Sequence, residues 1–175
     1  MEWGSLSATQ AGSRESGSEV VERTGRGGPG MIVYVDTSAL VKLFVREAWA
    51  DETREMLERA RVMGTGVLTR AELVAALARG ARGGYLSLEE AEEARRRLRK
   101  VWESWVRVAM DEMVVSRAEE MAWEHGLRGY DAVHLAAALV WQEGIGYPLT
   151  LATFDRELWK AARKEGLEVW PEAWG

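Results

Sequence analysis

The stretch "MIVYVDTSALVKLF" (residues 31–44) decides the fold of this 175-residue chain. Its first five residues are apolar or aromatic without polar alternation, a pattern that is typical of a strand buried on both faces of a parallel sheet. Asp36 follows this strand directly, and a helical pattern begins at Ser38. Helix capping alone does not explain the carboxylate, because Thr37 and Ser38 already offer capping oxygens.

The rest of the chain alternates between short apolar segments and longer amphipathic ones. The apolar segments predict four further strands, at 67–69, 106–110, 149–153 and 167–170. The amphipathic segments predict helices at 38–46, 48–61, 69–81, 87–105, 112–126, 130–144 and 155–166. Since parallel strands need crossover connections, this order predicts an α/β protein: a three-layer α/β/α sandwich with a mainly parallel central sheet.

Composition restricts the chemistry of the protein. The chain has no cysteine, which excludes disulfides, thiolate zinc sites and a cysteine nucleophile. Only two histidines are present, so a histidine-rich metal site is excluded as well. The net charge of -5 argues against indiscriminate binding to nucleic acid, because phosphate affinity depends on the number of cations engaged. Any contact with nucleic acid must therefore be local.

The chain divides into a leader and one domain. Residues 1–30 are rich in Gly, Ser, Glu and Arg and lack apolar periodicity, so they are predicted to form a flexible, disordered leader. The domain is predicted to span 31–175. No apolar stretch approaches the roughly 20 residues that cross a bilayer, and the leader lacks the apolar core of a signal peptide. We therefore expect a cytoplasmic protein without membrane contact.

Acidic residues follow the predicted strands and open the most apolar helix. Asp36 follows the first strand, Glu72 the second and Asp155 the fourth, while Asp131 lies at the start of the helix at 130–144. The carboxyl ends of parallel strands share one edge of a sheet, where such folds bind ligands. Each acid also has a local alternative: Glu72 has capping-box spacing from a threonine, and the others can cap their own helices.

Taken together, the four carboxylates favour a metal site. If they converge, they repel one another and raise each other's pKa unless a cation neutralises them. Carboxylate oxygens are the ligands that Mg²⁺ and Mn²⁺ prefer. Such a site activates a water molecule and stabilises the leaving oxygen in phosphodiester cleavage.

Three further features have two interpretations each. His134 shares a helical face with Asp131, where it either is a hydrogen-bonded, partly buried histidine or has a functional role, orienting the acid or contacting phosphate. The run "RRRLRK" (95–100) is either a solvated helix face balanced by the preceding glutamates or a source of RNA contacts, with Arg95, Arg96 and Arg99 as candidates. The nine tryptophans either stack on bases or pack in the core or a dimer interface, and the helical spacing of four of them favours packing; they are Trp102, Trp105, Trp123 and Trp141.

Four motifs carry a family resemblance. In chain order they are "VDTSALVKLF", "TRAELVAAL", "LRGYDAVHLAAAL" and "LATFDREL". They resemble the motifs of PIN-domain ribonucleases, most closely the VapC-like toxins of toxin-antitoxin pairs, over roughly residues 31–171. The resemblance implies a metal-dependent endoribonuclease with a small antitoxin partner, and it implies a homodimer. The leader has no counterpart in the family pattern.

The resemblance also assigns site residues. The matching active-site acids are Asp36, Glu72, Asp131 and Asp155, with Asp36 and Asp131 as the principal metal ligands and Ser38 and Thr153 in support. Two other functions compete with this one. A PIN-like regulatory or binding module would keep the fold without turnover. A phosphatase with an aspartate nucleophile usually carries a second acid two residues later, where this chain has Ser38.

Overall fold

The computed structural model describes residues 30–45 and 47–173, so the predicted leader lies almost wholly outside the described part of the chain. Five strands form one sheet in which every neighbouring pair is parallel, in the order β3-β2-β1-β4-β5. The strands are β1 (Ile32–Val35), β2 (Val62–Gly66), β3 (Val106–Val108), β4 (Thr150–Ala152) and β5 (Glu168–Trp170).

Helices cover both faces of the sheet. They are α1 (Thr37–Phe44), α2 (Ala50–Glu58), α3 (Thr69–Arg82), α4 (Leu88–Val101), α5 (Glu112–His125), α6 (Gly129–Ile145) and α7 (Arg156–Lys164). Helices α1–α4 contribute to one apolar core and α5–α7 to the other. Along β1, Val33 and Val35 face the first core, whereas Ile32 and Tyr34 face the second. The predicted three-layer sandwich is confirmed, and the burial of both faces explains the uninterrupted apolar run.

The strand order places the end of β1 at a special position. The chain passes from β1 to β2 and β3 on one side, and then crosses to β4 and β5 on the other. The carboxyl end of β1 is therefore the point where the winding reverses, and open α/β sheets bind their ligands at this point. Asp36 occupies it, and its backbone N–H donates to the carbonyl oxygen of Ala152 at 3.0 Å.

The second strand is not where the sequence predicts it. The prediction of 67–69 is wrong, because β2 ends at Gly66 and α3 begins at Thr69. The preceding "GTG" indicates a chain break from its composition, yet both glycines lie inside β2. A Cβ atom at Gly64 would lie 2.5 Å from the ring of Trp141, so glycine here permits close contact with α6.

The predicted helix boundaries are confirmed in some places and wrong in others. Ser87 and Glu90 form the expected capping box at α4. The capping-box alternative for Glu72 is wrong, since α3 begins after Leu68 without a side-chain cap. Helix α6 continues beyond the predicted end and stops before Gly146, whose positive φ of 65° suits glycine. Within the described residues, no helix combines the length and apolar character needed to cross a membrane.

Candidate active site

Asp36 lies at the centre of the predicted site. Its side chain is almost fully buried, and its Oδ2 atom accepts hydrogen bonds from the hydroxyls of Ser38 at 2.5 Å and Thr153 at 2.7 Å. Asp36 occupies the N-cap position of α1 but makes no side-chain capping bond. The capping alternative therefore does not explain this acid. Instead, hydroxyls from α1 and from the end of β4 fix its carboxylate in place.

Glu72 reaches the same region from α3. Its Oε2 atom accepts hydrogen bonds from the Thr37 hydroxyl at 2.7 Å and from His134 Nε2 at 2.9 Å. Burial pushes the pKa of Glu72 upward, but the hydrogen bonds from His134 and Thr37 outweigh burial and hold it below its usual value. His134 Nε2 also lies 3.6 Å from Asp36 Oδ1. The imidazole thus connects the two acids.

His134 is itself held by a buried tyrosine. The hydroxyl of Tyr34, a fully buried residue of β1, lies 2.9 Å from His134 Nδ1. Burial lowers the pKa of His134, but the hydrogen bond to Glu72 and the charges of nearby carboxylates outweigh burial and raise it above its usual value. The interpretation of His134 as a buried, hydrogen-bonded residue is confirmed, and the acid that it hydrogen-bonds is Glu72 rather than Asp131. Tyr34 gave no sequence signal, because an aromatic residue in a buried strand indicates only core packing.

Asp131 lies half-buried in the first turn of α6, three residues after the N-cap residue Arg128. Its pKa is raised to about 6, first by burial and then by the negative charges of Asp155 and Asp36, while His134 and Arg128 act in the opposite direction. Asp131 is therefore not a helix cap. It shares an electrostatic environment with two of the other predicted acids.

Asp155 does cap a helix. Its Oδ1 atom accepts hydrogen bonds from the backbone N–H groups of Glu157 and Leu158 at the start of α7, both at 2.9 Å. No donor among the described residues reaches Oδ2, so one carboxylate oxygen remains available for a ligand. The backbone N–H of Asp155 donates to the Thr153 hydroxyl at 3.0 Å, which links this acid to the residue that binds Asp36.

The donor set suits a hard divalent cation. All four side chains offer carboxylate oxygens, and burial, together with the charges of Asp155 and Asp36, raises the pKa of Asp131 above its usual value. The four acids are spaced too widely for three ligand atoms to lie within 4.8 Å of one another. That spacing suits Mg²⁺, which is commonly held by one or two carboxylates and keeps several waters. The catalytic and metal-binding roles of these residues stay predictions.

A second group of potential ligands lies elsewhere. In the described part of the chain, Glu124, His125 and Glu165 are the one group whose ligand atoms lie within 4.8 Å of one another. Glu165 lies about 15 Å along α7 from Asp155, given a rise of about 1.5 Å per residue. The hydrogen bond of 2.8 Å between His125 Nε2 and Glu165 Oε1 is a sufficient reason for this arrangement.

The three arginines predicted to contact RNA lie in two different environments. Arg96 pairs with Glu93 at 2.8 Å and lies 3.9 Å from Glu92, as expected for a solvated helix face. Arg95 and Arg99 have no carboxylate partner among the described residues. They line a cavity of about 600 Å³ between α3 and α4, hereafter the α3–α4 cleft, with Arg70, Val74, Ala78 and Leu98. Arg70 is a cationic residue that sequence reasoning missed, because it lies outside any basic run.

Fold and site together define a class of protein: a three-layer α/β sandwich with acidic side chains gathered where the parallel sheet reverses its winding. The particular family follows from comparison with known sequences. Residues 33–164 match the family model described as PIN domain. The chain belongs to the PIN domain family, which confirms the resemblance seen in its motifs.

Individual relatives agree with this assignment. The chain is 35% identical over 141 residues to Ribonuclease VapC45 of Mycobacterium tuberculosis, a match covering 80% of this chain and 95% of that protein. The crystal structure of PAE2754 from Pyrobaculum aerophilum matches with a TM-score of 0.56 and 27% identity, over 79% of this chain and 83% of that one. A toxin-antitoxin complex from Klebsiella pneumoniae matches with a TM-score of 0.52 and 20% identity, over 69% and 84%, and supports the fold alone.

Proposed function

We propose that this protein is a metal-dependent endoribonuclease that acts as the toxin of a toxin-antitoxin pair in the cytoplasm. The observation that carries the proposal is the buried Asp36 at the reversal point of the sheet, with Glu72 held beside it and a third acid, Asp131, carrying a raised pKa. Membership of the PIN domain family and 35% identity to a protein named as a ribonuclease support the same activity.

The side chains of the proposed site have different roles. Asp36 and Asp131 hold Mg²⁺ or Mn²⁺, with Glu72 and Asp155 completing the acidic cluster. When bound, the cation activates water and stabilises negative charge on the leaving oxygen of the phosphodiester. Ser38 and Thr153 fix the Asp36 carboxylate, so the ligand is preorganised before the cation arrives. The lowered pKa of Glu72 keeps its carboxylate ionised at neutral pH.

The activity is tested on purified protein with a labelled single-stranded RNA in Mg²⁺, Mn²⁺ or EDTA. We expect cleavage with either metal and none in EDTA. Asp36→Asn and Asp131→Asn should each abolish cleavage. Asp51→Asn, which removes a carboxylate whose side chain is 95% exposed on α2, is the matched control and should leave the rate unchanged. Full cleavage in EDTA would contradict the proposal.

An antitoxin partner follows from the same site. A group of carboxylates attracts a basic segment, and an arginine of the antitoxin would form charge-assisted hydrogen bonds with the acids. In that position it competes with the cation. Adding a peptide from the basic end of the antitoxin should inhibit RNA cleavage less strongly as the Mg²⁺ concentration rises. Inhibition that is independent of Mg²⁺ would place the partner elsewhere.

The proposed homodimer uses a face of α5. Trp123 is 90% exposed and Met113 is 62% exposed; ten residues of α5 separate them, which places the two side chains roughly 80° apart around the helix. A large exposed aromatic side chain is a candidate anchor for an interface, where such residues are enriched. Light scattering should show a dimer that Trp123→Glu converts to a monomer. Tyr85→Glu, at a residue 88% exposed between α3 and α4, is the control and should remain dimeric.

A further inference from the structure

We propose that the α3–α4 cleft binds one strand of RNA, with Arg70, Arg95 and Arg99 contacting its phosphates. The inference rests on the proposed function for the identity of the polyanion as the substrate. It concerns a binding surface, and none of its arginines belongs to the acidic cluster.

The charges of the cleft are its first support. Arg95 and Arg99 are exposed on α4 and have no carboxylate partner among the described residues. The guanidinium of Arg70 lies 5.7 Å from the centre of the Trp102 ring, and no carboxylate of the described residues forms an ion pair with it. Arg96, on the same helix as Arg95 and Arg99, instead forms an ion pair with Glu93. Three guanidiniums that share one cavity repel one another, and a chain of phosphates relieves that repulsion.

The shape of the cleft indicates a single strand. Its volume is about 600 Å³, and its lining includes the small apolar side chains Val74, Ala75 and Ala78, which are at least partly exposed. Proteins that bind single-stranded nucleic acid use a positively charged groove that follows the backbone, commonly with aromatic side chains on which bases stack. The apolar side chains of this cleft offer contact area to unpaired bases. A duplex shields its bases from such a surface and presents two backbones, so it matches the cleft poorly.

The position of the cleft relates it to the acids. Val67, at one end, directly follows the last residue of β2, and β2 pairs with β1, whose next residue is Asp36. Neighbouring strands lie about 4.8 Å apart. Arg70 precedes Glu72 by two residues on α3, so the two side chains start from the same turn of the helix but lie on different faces. Arg70 contacts Trp102, which follows Arg99 by three residues. The cleft therefore begins beside the end of β2 and the first turn of α3, the elements next to the predicted site.

A charge-matched pair of variants tests the cleft. Arg95→Gln/Arg99→Gln removes two cations that line it, while Arg96→Gln/Lys100→Gln removes two cations of the same helix that do not. With single-stranded RNA in Mg²⁺, the first variant should raise KM roughly tenfold while kcat stays within about twofold, because contacts to phosphate position RNA without taking part in the chemistry. The control should match the parent. Arg70→Gln should also raise KM.

Binding measured without cleavage makes the test independent of activity. Fluorescence anisotropy of the labelled RNA in EDTA gives Kd at several salt concentrations. The slope of log K against log salt should fall by about 1.4 in the Arg95→Gln/Arg99→Gln variant, at about 0.7 per lost contact to a single strand. A duplex of the same sequence should compete weakly.

The outcomes separate the two proposals. If the parent cleaves RNA and both double variants share its KM and salt slope, the cleft proposal is overturned and the proposed function stands. If the parent binds RNA without cleaving it, and only the Arg95→Gln/Arg99→Gln variant loses affinity, the cleft proposal stands and the proposed activity fails. A parent that binds no RNA, or a duplex that competes as well as the strand, overturns the cleft proposal.

Discussion

Asp36 and Glu72 each accept hydrogen bonds from two side chains, whereas Asp131 accepts none from the described residues. This difference sets the electrostatics of the site at the scale of single residues. The hydrogen bonds from His134 and Thr37 hold the pKa of Glu72 below its usual value. Burial and the charges of Asp155 and Asp36 disfavour the charged form of Asp131, whereas His134 and Arg128 favour it. The balance leaves the pKa of Asp131 raised, so the metal-free protein disfavours its charged form.

The raised pKa of Asp131 should appear in the pH dependence of stability. The pKa is 3.8 for the ordinary group and about 6 in the folded protein, so between these values the folded state binds the proton more tightly than the unfolded state. The stability that the proton on Asp131 contributes is fully present below pH 3.8 and is lost as the pH rises through about 6. We expect the Tm of Asp131→Asn minus that of the parent, in EDTA, to be small near pH 4 and positive above about pH 6.

Asp51→Asn is the matched control for this experiment, because it removes an exposed charge. Its Tm difference from the parent should change little over the same pH range. A difference for Asp131→Asn that is equally flat would mean that the neighbouring carboxylates do not act on Asp131. The acids would then not share one site.

The buried tyrosine gives a second prediction at this scale. Tyr34→Phe keeps the ring but leaves His134 Nδ1 without its hydroxyl partner, which should cost about 1–3 kcal/mol of stability for a buried unsatisfied group. If His134 positions Glu72, the Mg²⁺ concentration for half-maximal cleavage should also rise, roughly fivefold, by analogy with residues that orient metal ligands. Tyr147→Phe, at a partly exposed tyrosine, is the control for both measurements. A loss of stability with an unchanged Mg²⁺ requirement would make the pair structural only.

At the scale of elements, local patterns account for most of the fold but for less of the site. Four of the five strands and the order of the helices follow from periodicity, because each depends on neighbours close in sequence. Strand β2 does not follow from periodicity. Its Gly64 is required by close contact with Trp141, a residue 77 positions later by their numbering. Glu72 does not follow from periodicity either, because its partners Thr37 and His134 lie 35 and 62 positions away. Local spacing predicts a capping box there, and the long-range contacts prevent it.

Asp155 allows a test of whether one residue can both cap a helix and belong to the predicted site. Asn caps a helix about as well as Asp, so Asp155→Asn should keep the stability of α7, while Asp155→Ala should lose about 1 kcal/mol. If Asp155 also belongs to the acidic cluster, both variants should lose RNA cleavage. Urea unfolding and cleavage assays on the two variants provide the comparison. Normal cleavage by Asp155→Asn would restrict this residue to capping.

At the scale of the whole molecule, one topological feature joins fold and site. The connections that follow β1 and β4 leave the sheet in opposite directions, which creates a crevice outside the carboxyl ends of these two strands, and elements that are distant in sequence bring side chains to it. Asp36 comes from β1, Glu72 from α3, Asp131 from α6 and Asp155 from the start of α7. Burial and the charges of Asp155 and Asp36 disfavour the ionised form of Asp131 in the metal-free fold, so this residue serves function at the expense of stability.

The response of the whole protein to metal should identify which ligands it binds. A ligand that binds only the folded state stabilises it by about 1.4 kcal/mol when its concentration is about ten times Kd. We expect Mg²⁺ to raise the Tm of the parent and to have little effect on Asp36→Asn or Asp131→Asn. The His125→Asn variant should keep the full shift, since Mg²⁺ prefers carboxylate oxygens to the imidazole of the Glu124, His125 and Glu165 group. A shift that persists in both aspartate variants and disappears in His125→Asn would move the ion to that second group and remove the basis for metal-dependent chemistry at Asp36.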